Sequence, residues 1–178
     1  MNKILIKLYV LISVFFIYSL AMSADSFIKM KLKSGNVVIK LRPDIAPKHV
    51  KRISKLVKEG FYDGLAFHRV IPGFMAQGGD PLGNGTGGSG KNIEAEFSNE
   101  KHVRGTVSMA RAQDPNSADS QFFICFEDSE WLDGQYTIWG LVVKGMEFVD
   151  KIKKGEGSNG EIIGEPDKII SMKLGKKG

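Results

Sequence analysis

The sequence predicts a mainly β domain, an eight-stranded closed antiparallel barrel capped by two α-helices. Two observations carry this. Eight short runs place β-branched or aromatic residues on alternate positions, and only two segments repeat apolar residues at helical spacing, one after the second strand and one before the last. That order does not fit the strand–helix alternation of a parallel sheet. Closing an antiparallel sheet removes its exposed edges, and two helices then plug the ends.

The amino terminus reads as an export signal. Lys3 and Lys7 precede an apolar run from Leu8 to Leu20, and the small residues Ala21, Ser23 and Ala24 follow, with cleavage expected after Ser23. The run is shorter than the roughly 20 residues that span a bilayer. An uncleaved anchor is the competing reading, and no cysteine near the segment offers a lipid attachment point. The chain divides into a signal peptide, 1–23, and one domain, 24–178. The export reading places the domain in a periplasm, with secretion or membrane anchoring as alternatives, and membrane contact is expected only transiently through the signal.

Within the domain, Phe27–Leu32 and Asn36–Leu41 form a hairpin around Lys33-Ser34-Gly35. Pro47 suits a first helical turn, and Val50, Ile53, Leu56 and Val57 line one face of a helix that Gly60 ends. Strands are expected at 67–71, 74–77, 106–110, 121–126, 137–143 and 169–174. The second helix is expected over Met146–Lys153, with Met146, Val149, Ile152 and Phe148 turned inward.

Charge and cysteine content exclude several functions. The 178 residues hold 25 Lys+Arg against 20 Asp+Glu, and the single Cys125 forms no internal disulfide and leaves too few thiols for a zinc ribbon or an iron–sulfur cluster. Removing residues 1–23 takes two lysines and no acid, so the charge falls from +5 to 23 − 20 = +3. The basic tail at Lys173, Lys176 and Lys177 has no interleaved aromatics for base stacking, so no nucleic-acid partner is expected. Gly83–Gly88 matches G-x-G-x-x-G and Gly85–Lys91 matches most of a phosphate loop, but Gly79-Asp80-Pro81 precedes them and Asn92 stands where a magnesium-binding hydroxyl belongs. The glycine-rich stretch reads as a mobile surface loop. His49, His68 and His102 lack metal-ligand spacing, and Cys125 sits in an apolar strand as a packing residue. No metal and no cofactor are expected.

The informative chemistry lies in two blocks. Phe67-His68-Arg69-Val70-Ile71-Pro72-Gly73-Phe74-Met75-Ala76-Gln77-Gly78-Gly79-Asp80 sets a cation and an amide beside a soft apolar surface. Ser120-Gln121-Phe122-Phe123-Ile124-Cys125-Phe126, followed by Trp131-Leu132-Asp133-Gly134, repeats the combination of amide, aromatic and leucine. With Ser108-Met109-Ala110 between them, these blocks resemble the cyclophilins, a family of peptidyl-prolyl cis-trans isomerases, from Phe27 to Leu174. The resemblance implies the cyclophilin-like barrel and its roles. Arg69 is similar to the essential arginine, while Gln77 and His68 match residues that bond substrate or order that arginine. Phe74, Met75, Phe123 and Leu132 match the proline pocket, and Ala110, Gln121 and Trp131 match the groove.

Two positions depart from the cytosolic members. Arg111 stands where those have an asparagine whose main chain binds the peptide, and Tyr136 replaces a histidine at the pocket edge. Arg111 is expected to favour acidic or extended substrates. The implied partners are proline-containing peptides and unfolded or partly folded proteins, with cyclosporin-type cyclic peptides as inhibitors through Trp131, and the chain is expected to be a monomer. Isomerisation makes and breaks no bond, so it needs neither nucleophile nor metal. A chaperone that holds proline-containing clients with incidental turnover is the alternative.

Overall fold

Alternation along each strand decides which side chains meet. The structure is a computed structural model and describes residues 27–176. In order it contains β1 (Phe27–Lys31), β2 (Asn36–Leu41), α1 (Pro47–Lys58), β3 (Arg69–Ile71), β4 (Met75–Gly78), β5 (Thr106–Met109), β6 (Phe122–Cys125), β7 (Ile138–Lys144), α2 (Met146–Val149) and β8 (Ser171–Gly175). Single 3-10 turns lie at Pro115–Ser117 and Glu130–Leu132. In β1, Ile28 and Met30 are buried while Lys29 and Lys31 face solvent, the period-2 pattern of a strand with one wet face.

The strands form one sheet in the order β3-β4-β6-β5-β7-β2-β1-β8, and every neighbouring pair is antiparallel. It curls into a half-barrel. The expected full closure is not made by a ladder: β3 and β8 are the two ends of the order. Their edges already have other partners. Val70 of β3 accepts from Gly155 N at 2.9 Å and donates to Gly160 O at 2.8 Å, so the 155–161 loop covers that edge. On β8, Met172 N donates to the Asp63 carboxylate at 2.8 Å. Between the two ends run a bridge at Ala66 and Lys168 and bonds from Phe67 N to Asp167 O and from Ile169 N to Leu65 O.

Inside the curl lie Ile28, Met30, Val37, Ile39, Val70, Ala76, Val107, Ile124 and Trp139, with the rings of Tyr62 and Trp139 edge-on to Phe122. Helix α1 lays Val50, Ile53, Leu56 and Val57 on this core, as its spacing predicts, and buries His49 as well. Its first turn has no side-chain cap from Ala46. The distant Glu96 carboxylate accepts from Lys48 N at 3.0 Å and His49 N at 2.9 Å instead, and a negative group suits the helix N-terminus.

Helix α2 is shorter than the sequence predicts. It stops at Val149 because Lys153 N donates to the Asp167 carboxylate at 2.8 Å, and the Lys154 ammonium takes the carbonyls of Asp150 and Ile152. Val149 and Ile152 still point into the core.

Candidate active site

On the outer face of β3, β4, β6 and β5 the register sets Arg69 opposite Gln77, Gln77 opposite Phe123, and Phe123 opposite Ser108. The next row holds Ile71, Met75 and Cys125. Of these strands β5 and β6 are buried on both faces, while Arg69, Ile71 and Gln77 are half-buried. The inner residues of the four strands join the main core, while Met75, Phe123, Cys125 and Leu132 form a second apolar cluster backed by Ile71, Phe74, Ala110 and Tyr136. This explains why 122–125 reads as an unbroken apolar run rather than an alternating one.

The second cluster floors an open groove of about 900 Å³. Eleven of the twelve residues expected from the sequence line it: His68, Arg69, Phe74, Met75, Gln77, Ala110, Arg111, Phe123, Trp131, Leu132 and Tyr136. Gln121 lines an adjoining hollow of about 390 Å³ that shares Gln77, Ala110 and Arg111 with the groove. One wall was not expected. Asn159, Glu161, Ile162, Gly164 and Pro166 close the side next to β3, and their segment shows only turn chemistry in the sequence.

A chain of hydrogen bonds fixes the polar edge. Arg69 Nε donates to the Asn159 carbonyl at 3.0 Å and Nη1 to Gln77 Oε1 at 3.1 Å. Gln77 Nε2 donates to Gln121 Oε1 at 2.9 Å, and Gln121 Nε2 donates to the carbonyls of Gly85 and Gly87. The glycine-rich loop is thus tied to the arginine. It also wraps the Asp80 carboxylate, which accepts from the backbone N–H groups of Leu82, Asn84 and Gly85. Burial opposes ionisation of Asp80, but these donors hold its carboxyl below the usual range. The next element after the loop is the strand β5 and not a helix, so the two phosphate-binding patterns lack the element they need. Gly79 is required where β4 meets β6: its φ is +85°, and a Cβ there would lie 2.5 Å from Ser120 O.

His68 lines the groove but makes no hydrogen bond to Arg69; its two ring nitrogens are buried without partners. Ordering of the guanidinium falls to Gln77 and Asn159. Burial lowers the Arg69 pKa, yet a guanidinium starts so high that it stays charged. Arg111 is engaged differently from the sequence expectation. It donates to the carbonyls of Ala112, Gln113 and Gln135 at 2.9–3.2 Å, and its guanidinium carbon lies 4.6 Å from the centre of the Tyr136 ring. The arginine and tyrosine therefore act as a pair that joins two loops at the groove rim, and the guanidinium is not a free receptor for acidic substrates.

Behind the floor sits a network with no clear signal in the sequence. The His102 ring stacks on Phe123 with centroids 6.3 Å apart. Its Nδ1 lies 3.1 Å from Asp133 Oδ1 and its Nε2 3.1 Å from Ser108 Oγ. Burial keeps His102 below its ordinary pKa, and the N–H of His102 with the Lys101 ammonium brings Asp133 down to about 2. At the rim Trp131 is 61% exposed, with its ring 5.5 Å from that of Phe74, and Tyr136 stands edge-on to Phe123 at 5.8 Å. Cys125 is buried in the cluster, where desolvation pushes its thiol up to about 12, so it packs rather than reacts.

Comparison with known proteins gives the same assignment over nearly all the described residues. Residues 27–174 match the family described as cyclophilin type peptidyl-prolyl cis-trans isomerase/CLD. A Brucella suis protein named "Probable peptidyl-prolyl cis-trans isomerase" is 56% identical, covering 86% of this chain and 85% of the relative. A Helicobacter pylori peptidyl-prolyl cis-trans isomerase is 44% identical over 76% of this chain and 85% of its own. Among solved structures, a Cryptosporidium parvum cyclophilin crystallised in the presence of the dipeptide Ala-Pro superimposes with a TM-score of 0.77 at 30% identity, covering 85% of this chain and 99% of that one. The chain belongs to the cyclophilin-type peptidyl-prolyl cis-trans isomerase family.

Proposed function

We propose that this cyclophilin-type isomerase turns X-Pro bonds at the groove by seating the proline ring on Phe74, Met75, Phe123 and Leu132 and donating from Arg69 to the twisting amide. The observation that carries the proposal is the placement of Arg69. Two anchors hold it at the edge of the apolar floor, so its remaining N–H groups are aimed without being tied down. Rotation about the peptide bond faces a barrier of about 18–20 kcal/mol because resonance must be broken. As the amide twists, the prolyl nitrogen becomes pyramidal and regains a lone pair. A donor that meets this lone pair bonds the twisted state more strongly than the planar one, and only such differential binding speeds the step. The guanidinium fork also reaches toward the carbonyl side, and the apolar floor keeps water from it. Ala110, Gln121, Trp131 and the main chain of Arg111 line the path of the flanking peptide.

The client class follows from the amino terminus, which lies outside the described residues. With 1–23 as a signal peptide and 24–178 as the working domain, the substrates are exported proteins, unfolded or partly folded, met in a periplasm. The isomerase acts as a monomer and is open to cyclosporin-type cyclic peptides at Trp131. The test joins two measurements: amino-terminal sequencing of the exported protein, expected to begin at Ala24, and refolding of a proline-limited client, expected to accelerate with wild type but not with Arg69→Ala. Acceleration by Arg69→Ala equal to wild type would establish client holding as the function instead.

A further inference from the structure

The strands that do not build the groove carry an unbalanced charge. β1, β2, β7 and β8 contain Lys29, Lys31, Lys40, Lys144 and Lys173 and not one Asp or Glu. All five lysines are exposed, on the face opposite the core. The register puts them in rows. Lys173 stands directly opposite Lys29, Lys29 opposite Val38, and Val38 opposite Lys144, so one row across four strands holds three ammonium groups. Neighbouring strands are about 4.8 Å apart, so this row is about 14 Å long. Lys31 lies two residues along from Lys29, and Lys40 two from Val38. Asp63 reaches this face and pairs with Lys173 at 3.1 Å. Like charges directly across a ladder oppose pairing, so folding alone gives no reason for this arrangement.

We propose that this lysine face docks the domain on the anionic headgroup surface of a bilayer, leaving the groove strands β3, β4, β5 and β6 free for clients. Charge complementarity is the first argument, and the position of β1 is the second. The apolar run ends at Leu20 and β1 begins at Phe27, so the intervening chain extends at most about 25 Å. While that run is in the membrane, Lys29 and Lys31 are held close to the headgroups. Each lysine near an anionic surface raises affinity by about fivefold, and the attraction fades over about 10 Å at 0.1 M salt. An extended headgroup surface suits these rows better than a pocketed ligand, because the ammonium groups are exposed on the outer side of the curled sheet.

The chain from Ala24 onward keeps every strand and helix of the described residues, 27–176. It is sedimented with vesicles of phosphatidylcholine alone or with about one-third phosphatidylglycerol, at about 0.03 M and about 0.3 M salt. Binding is expected only to the anionic vesicles and mainly at low salt. The combined variant Lys29→Gln, Lys31→Gln and Lys144→Gln should lose about a hundredfold in affinity, with isomerase activity unchanged as proof of folding. Removing three lysines elsewhere, Lys51→Gln, Lys55→Gln and Lys91→Gln, should cost less than tenfold. Equal sedimentation with neutral vesicles, no sedimentation with either, or equal losses in the two triple variants would overturn the proposal. Tighter retention by a polyribonucleotide than by the anionic vesicles would reassign the face to nucleic acid.

Discussion

Replacing Arg69 by lysine separates charge from geometry at the point where the mechanism is most exposed. A guanidinium carries five N–H donors, of which one is taken by Asn159 O and one by Gln77 Oε1, leaving three on Nη1 and Nη2. A lysine ammonium keeps the positive charge but has no rigid fork, so it cannot hold both anchors and still meet the prolyl nitrogen. The loss is that of one prearranged donor to the transition state, about 2.7–4 kcal/mol, or about a hundredfold to a thousandfold in rate. The planar ground state offers that donor no lone pair, so the drop should fall on kcat with KM changed little. Stability should fall only modestly: the side chain is part-exposed, and two lost hydrogen bonds cost about 0.5–1.5 kcal/mol each. The assay is protease-coupled isomerisation of a short proline peptide over a range of substrate concentrations, with thermal melting in parallel. Lysine activity within threefold of wild type would refute the geometric argument, and comparable activity in Arg69→Ala would remove the arginine from the mechanism altogether.

Phe123→Ala should act on both substrate and fold, because the ring is 5% exposed and packs on His102 and Tyr136 as well as flooring the groove. We expect KM to rise and stability to fall by about 3 kcal/mol; an unchanged melting temperature would contradict the packing assigned to it. Trp131→Ala is the complementary case, a ring mostly in solvent, and should weaken cyclosporin inhibition while leaving the melting temperature in place; an inhibition curve identical to wild type would count against the rim contact. Acid should destabilise the protein in two stages. Burial lowers the pKa of His49 and His102 in the folded state, so below about pH 6.5 the unfolded chain binds protons that the folded one refuses, and stability declines as the pH falls toward the folded-state values. Asp133 and Glu96, both held below their ordinary values when folded, contribute stability that is present above about pH 4 and lost below it. Melting temperatures that rise between pH 7 and pH 5 would reverse this sign and refute it.

The local order of the chain was legible to within a residue or two at most elements. The hairpin at Lys33-Ser34-Gly35, the apolar face of α1 and the central strands are written in periodicity and turn chemistry, and the structure places them at 27–31, 36–41 and 47–58. Where the reading ran long, at the end of α2, the cause is a remote partner: the Asp167 carboxylate takes the N–H of Lys153. Full closure failed for the same kind of reason. The sequence shows eight strands but not that the 155–161 loop and Asp63 occupy the free edges of β3 and β8.

The candidate site divides in the same way. Residue types alone determined that a cation, amides and a soft apolar surface belong to one chemistry, and the order of the two blocks pointed to the family. Tertiary structure decided how Arg69 is held, replacing the expected help from His68 with Gln77 and the carbonyl of Asn159, a residue 90 positions away. It also turned Arg111 onto its own loops and set the His102 network behind Phe123. Periodicity and composition record what a segment does with its immediate neighbours and with water. Hydrogen bonds between loops depend on which segments the sheet brings together, and that is settled only when the whole sheet has formed.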